Sequence, residues 1–237
     1  MKACPVMVLA FVALPVWAQQ PDTARRVPIV RPADVVIIGS FVAGSLVMGH
    51  FDSRISAWAR QPGFQNNGAL RSGARGAALF GDPGSVLIDA ALYAGGRIAH
   101  NRNVQTDGES ALEAAALSGL VTYVLKGSFG RARPYADSTN ATDFRFARGF
   151  PNAGEFQSFP SGHTTAGFAF ASVITARLAR RSPRTARWAG PLLYTAAALT
   201  GLSRVYDHKH WASDVLTGAA IGTVSGLIVV RWHDRHP

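Results

Sequence analysis

Apolar and small residues gather in six long stretches along this chain, at roughly 33–51, 83–99, 109–126, 162–180, 186–203 and 213–232. Each is rich in Ala, Leu, Val and Gly, and each is too long for an ordinary strand, so each predicts a helix. No convincing run alternates apolar and polar residues with period two, and no internal repeat is visible. The pattern therefore predicts an all-α fold, a helical bundle of about six helices. Short connections favour alternating helix directions.

Polar positions supply the boundaries. Asp107-Gly108-Glu109-Ser110 reads as the opening of the third helix, where acidic residues meet the positive end of the helix dipole. Ser161 is placed to cap the fourth helix and Ser213 the sixth, with Asp214 in its first turn. Two connections are long, 52–82 and 135–159. The second carries six aromatic residues, from Tyr135 to Phe159, beside Arg145 and Arg148. Connections of this length often cover a site. This one is where choice of leaving group is expected to be made.

The first residues have the layout of an export signal: Lys2, the apolar run Val6–Val16, and small residues at Ala18 before Gln19. The expected organisation is a signal peptide over 1–18, a linker over 19–32, one domain over 33–232 and a basic tail over 233–237. Cys4 is the sole cysteine and lies within the signal, which excludes a disulfide scaffold, thiolate metal sites and a cysteine nucleophile from the rest.

The formal charge is +10, and all but three of the 24 basic residues are arginine. Nucleic acid is not the expected partner, because the arginines are scattered and form no recognisable nucleic-acid motif. A basic surface facing acidic lipid headgroups fits better, as does an arginine-rich composition with no special role.

Three clusters carry the candidate chemistry. They are Lys126-x6-Arg133-Pro134, then Pro160-Ser161-Gly162-His163, then Ser203-Arg204-x5-His210-x3-Asp214. Alternating helices bring all three to one end of the bundle. Lys126, Arg133 and Arg204 can surround one phosphate, two as planar forks and one as a point charge. Backbone N–H groups of Gly162 and His163 at a helix start add donors. His210 and Asp214, four apart, share a helical face, so Asp214 can orient His210 as a nucleophile. His163 is left to protonate the leaving oxygen. A cationic cradle of this kind requires no metal. Asp207, His208 and His210 form a tempting metal cluster, but His210 is committed, Lys209 repels a cation and no fourth ligand is evident.

These residues resemble the signature of the type 2 phosphatidic acid phosphatase superfamily, which includes bacterial acid phosphatases, membrane lipid phosphatases and vanadium haloperoxidases. All fixed positions of that triple motif are matched, and the resemblance covers roughly 83–232. It implies metal-independent hydrolysis of phosphomonoesters or pyrophosphates through a phosphohistidine. It also implies catalytic roles for His210, His163 and Asp214, and phosphate binding by Lys126, Arg133, Ser161, Gly162 and Arg204. No cofactor is implied, although vanadate can mimic phosphate in such a cradle. The competing readings are a vanadium-dependent haloperoxidase and a non-enzymatic helical envelope protein with a vestigial site. The expected partner is a phosphorylated small molecule or lipid.

Membrane placement is read two ways. Mean hydropathy is only +0.10, and Asp89, Arg97 and Glu113 interrupt the apolar stretches. The arginine-rich loop 177–187 should be cytoplasmic in a membrane protein, which turns the site outward. A cleaved signal followed by six crossings would put Lys126 inside instead. The expectation is thus an exported domain, in the periplasm or on the periplasmic face of the membrane, with an integral membrane protein as the alternative.

Overall fold

Nine helices and no strand occur among residues 28–151 and 154–236, the residues described by the computed structural model. Six are long: α1 (Pro32–Gly49), α5 (Gly84–Ile98), α6 (Arg102–Phe129), α7 (Gly162–Arg181), α8 (Pro183–Tyr206) and α9 (Ala212–Arg235). They coincide with the six apolar stretches. The expected signal peptide and most of the expected linker lie outside the described residues.

Two boundaries differ from the sequence reading. The connection 52–82 is not irregular but holds α2 (Asp52–Ala59), α3 (Pro62–Gln65) and α4 (Gly68–Leu79). Their Gly and Asn content hid short helices that tertiary contacts support. The third long helix begins at Arg102 rather than near Glu109. Asn101 is its cap, accepting the Val104 N–H at 3.2 Å. Asp107 is instead buried inside the helix and pairs with Arg181 of α7. An acidic residue can thus mark an ion pair as readily as a helix start.

α9 runs through the centre, packed against α7, α1 and α6. A stripe of glycines makes the α7–α9 contact possible. A Cβ at Gly218, Gly222 or Gly226 would meet the carbonyl oxygens of Ser161, Thr165 and Ala169 at 2.5, 2.2 and 2.9 Å. Glycine at every fourth position lets the two backbones touch. Small residues also make up much of the core, with Ala111, Ala114, Ala169 and Val173 fully buried.

Directions alternate as expected. Ser45 near the end of α1 bonds the Ser213 carbonyl at the start of α9, while Asp34 at the start of α1 pairs with Arg231 at the end of α9. The end of α6, the start of α7, the end of α8 and the start of α9 therefore share one end of the bundle. The opposite end gathers arginines: Arg181 bonds the Asn103 carbonyl and Arg180 pairs with Asp234.

The outer face is apolar where a soluble bundle would be polar. On α1, Val35, Val36, Leu46 and Val47 are each at least 60% exposed. Leu87 on α5, Leu120 on α6, and Trp188 and Leu192 on α8 continue the belt. Polar residues such as Ser110, Thr164, Ser172 and Asp89 are inside. Part of what lowers the mean hydropathy is therefore inside the bundle. An apolar exterior around a polar interior is the arrangement a bilayer rewards.

Candidate active site

The three clusters meet at the end of the bundle formed by α6, α7, α8 and α9. Lys126 stands in the last turn of α6. That helix ends at Gly130, whose φ of 51° is left-handed. A Cβ there would also sit 2.4 Å from the Arg145 carbonyl oxygen, so glycine is needed for both conformation and space. The turn carries the chain directly into Arg131, Ala132 and Arg133.

Ser161 is the residue before α7, and its hydroxyl accepts from Thr164 rather than capping the helix backbone. Its N–H bonds the Asp214 carbonyl at 3.1 Å, which joins the starts of α7 and α9. A Cβ on Gly162 would stand 3.7 Å from Lys126 Cε, so the α7 N-terminus faces Lys126 across an open space. Arg204 at the end of α8 is 9% exposed, and its Nη2 donates to Asp207 at 2.6 Å. Arg133 bonds the Lys209 carbonyl through Nη1, while its Nε is buried without a partner. A buried guanidinium donor left unsatisfied suits an anion. Lys126, Arg133 and Arg204 all act electrostatically on His163, and the first two act on His210.

His210 lies in the short connection before α9 and is 3% exposed. Its geometry differs from the expected histidine–carboxylate pair. Nδ1 lies 2.6 Å from the Ser158 carbonyl oxygen and 3.7 Å from Asp214 Oδ2. A carbonyl only accepts, so Nδ1 carries the proton and Nε2 keeps its lone pair. The direct orienter is thus a backbone carbonyl, with Asp214 behind it. Asp214 is fully buried and accepts from Arg131, from the Ser158 hydroxyl and from the Trp211 N–H at 2.8 Å. It therefore fixes the walls around His210. His163 is half-buried, and its ring makes no hydrogen bond among the described residues.

Ser213, expected as a cap, instead donates its N–H and hydroxyl to Asp52 of α2. Asp52 and Asp214 flank Arg131, which also bonds Ser213 and the Ala141 carbonyl. Nothing in the sequence singles out Asp52 or Ser158, and Arg131, close to the cradle in sequence, reads there either as steering substrate or as a plain loop charge. The repeated Arg-x-Arg of 131–133 was the one available signal. Asp207 and His210 of the weighed metal cluster are engaged separately, the first by Arg204 and the second by Ser158.

Beside the cradle lies a cavity of about 280 Å³, lined by Asp82, Val86, Ser118, Tyr123, Lys126 and Gly162 among others. No described residue of 135–159 lines it. That connection braces the site instead: the Gln157 carbonyl accepts from Lys126 Nζ at 2.7 Å, and the Phe150 ring packs against Gly127 and Tyr123.

Burial holds the His210 imidazole down to about 3, with Lys126 and Arg133 acting the same way and Asp214 opposing them. His210 is therefore neutral, with a free lone pair, over most of the acid range. The same shift has a folding consequence. Between its folded value and the ordinary 6.5, the unfolded chain binds the proton that the folded chain refuses, so stability falls as pH falls through that window. From pH 6.5 to 4.5 this group alone withdraws up to ~2–3 kcal/mol. Thermal melts in detergent at those two pH values are expected to show a smaller acid loss for His210→Asn than for the wild type. Equal losses would refute the buried neutral imidazole.

The PAP2 superfamily pattern matches residues 110–237 of this chain. A lipid A 1-phosphatase of Porphyromonas gingivalis is 42% identical over 116 residues, which cover 49% of this chain and 21% of that protein. A putative phosphatidate phosphatase of Drosophila melanogaster is 34% identical over 147 residues, covering 50% of this chain and 38% of that one. The chain thus spans less than half the length of these curated relatives. Among solved structures, a transmembrane PAP2 type phosphatidylglycerolphosphate phosphatase from Bacillus subtilis superposes with a TM-score of 0.65 at 23% identity, over 86% of this chain and 97% of that one. Aquifex aeolicus LpxE superposes with a TM-score of 0.51 at 27% identity, over 69% of this chain and 86% of that one.

Proposed function

The chain belongs to the PAP2 superfamily, and from that premise we propose that it is a metal-independent phosphatase that releases phosphate from a lipid-borne phosphate ester. The observation that carries this reading is the meeting of Lys126, Arg133 and Arg204 around His163 and a buried His210 whose Nδ1 is committed to a carbonyl. In the first step Nε2 of His210 attacks phosphorus and the bond to the leaving oxygen breaks. His163 gives that oxygen its proton. In the second step water attacks phosphorus, its proton passes to His163 and the P–N bond breaks, which restores both histidines. The three cations and the N–H groups at the α7 start stabilise the charge on the equatorial oxygens.

A lipid substrate is supported by the apolar belt on α1, α5, α6 and α8, and by the lipid substrates in the names of the relatives. We place the bundle in a bilayer. Arg177, Arg180, Arg181, Arg184 and Arg187 gather at the end remote from the site, and the positive-inside rule makes that end cytoplasmic. The site then opens on the outward face. This orientation rests on the arginines alone; the expected signal peptide lies outside the described residues.

The test is phosphate release by the detergent-purified protein with a chelator present, on phosphatidate, undecaprenyl pyrophosphate and p-nitrophenyl phosphate. Release from at least one lipid is expected. A requirement for a divalent metal would contradict the metal-free mechanism. Vanadate-dependent halide oxidation without phosphate release would replace the reading.

A further inference from the structure

Several acidic residues around the cradle are held by arginines. Asp52 and Asp214 hold Arg131, Asp207 holds Arg204, and Asp143 holds Arg148. Asp82 makes no hydrogen bond or ion pair among the described residues. It is exposed, it stands just before α5, and it lines the cavity of about 280 Å³ that Lys126 and Gly162 also line. Its position is tightly set. A Cβ on neighbouring Gly81 would meet Thr200 Cγ2 at 2.8 Å and His163 Cβ at 2.9 Å, so the segment is pressed against the start of α7. The charge of Asp82 also reaches His163.

On the reading above, the phosphoryl group sits on Lys126, Arg133, Arg204 and the α7 N-terminus, and the leaving group must extend past His163. The cavity shared by Lys126, Gly162 and Asp82 is the space open to it. The other lining residues are small, apolar or neutral hydroxyl-bearing, among them Val86, Ala115, Ser118, Thr122 and Tyr123. Among the described residues that line it, Lys126 is the only cation. A leaving group that is itself a phosphate would bring negative charge toward Asp82 with no second cation to receive it. A leaving group carrying hydroxyl or ammonium donors would find an acceptor there. Like charges brought together in a partly desolvated cleft are strongly disfavoured.

We propose that Asp82 is a specificity-determining residue that excludes pyrophosphates and selects monoesters whose leaving group is uncharged or carries donors. The inference rests on the phosphatase reading and narrows it.

The experiment compares farnesyl phosphate with farnesyl pyrophosphate, which share a chain and differ by one phosphate. Both are assayed with the full-length wild type, Asp82→Asn and Asp82→Ser in detergent. The wild type is expected to favour the monophosphate. In both variants kcat/KM for the pyrophosphate is expected to rise, shifting the ratio by at least about tenfold. A gain on one substrate is a result that misfolding or a misplaced His163 does not produce. A parallel fall on both substrates, or an unchanged ratio in both variants, would overturn the proposal. Absence of phosphate release by the wild type from either compound and from p-nitrophenyl phosphate would instead defeat the phosphatase reading beneath it.

Discussion

His210→Ala is expected to lower kcat/KM for phosphate release by at least ~10⁴-fold, because it removes the nucleophile itself rather than a group that assists it. The structure says why the loss should be chemical. Among the described residues, the His210 ring makes one hydrogen bond, to the Ser158 carbonyl. Asp214 keeps Arg131, Ser158 and Trp211 when the imidazole is gone. The alanine variant should therefore fold and still bind phosphate or vanadate in the cradle. An acid-labile phosphoenzyme should be trapped from wild-type protein by rapid quenching and be absent from the variant. His163→Ala separates the two histidines. It should still form the phosphoenzyme from p-nitrophenyl phosphate, whose leaving group needs little protonation, and fail on alkyl esters. Phosphate release by His210→Ala at the wild-type rate would remove the proposed mechanism altogether.

The long helices and the meeting of the three clusters were legible in the sequence for a simple physical reason. The number of long helices follows from apolar runs, and short connections set α7, α8 and α9 in alternating directions, so the ends at which His163, Arg204 and His210 lie are determined together. What stayed hidden depends on contacts between residues far apart in sequence. Asp52 reaches Ser213 and Arg131 from a segment that read as a loop. The carbonyl of Ser158 carries no side-chain signature at all, yet it sets the tautomer of His210. The orientation of apolar side chains was equally invisible. Overall hydropathy weighed against a bilayer, and only the packing showed that Ser110, Thr164, Ser172 and Asp89 are turned inward while large apolar side chains face out.

Arg131 is where the hidden contacts should have their largest effect. Its side chain is 3% exposed and lies between Asp52 and Asp214, both fully buried. Burial pushes the Asp52 carboxyl up, against the pull of Arg131 and Ser213. Arg131→Met keeps the bulk of the side chain and leaves two carboxylates in one dry site without a cation. Removing one member of a buried pair costs about 3–5 kcal/mol, because the partner's desolvation is no longer offset. Activity should fall by at least ~100-fold as well, since Asp214 can then relieve its isolation by taking a proton or shifting away from His210. The double variant Asp52→Asn/Arg131→Met separates these effects. The side-chain amide oxygen that Asp52→Asn introduces still accepts the Ser213 N–H, which Asp52 accepts at 3.0 Å, so part of the stability should return. Activity should not, because Asp214 still lacks its cation. Thermal melts and phosphate release across the four proteins of this cycle would measure the coupling. Additive stability losses within ~0.5 kcal/mol would mean the triad is not one electrostatic unit. Recovery of activity alongside stability would mean that Arg131 acts on the fold alone, and that the charge of Asp214 does not need it to hold His210 in place.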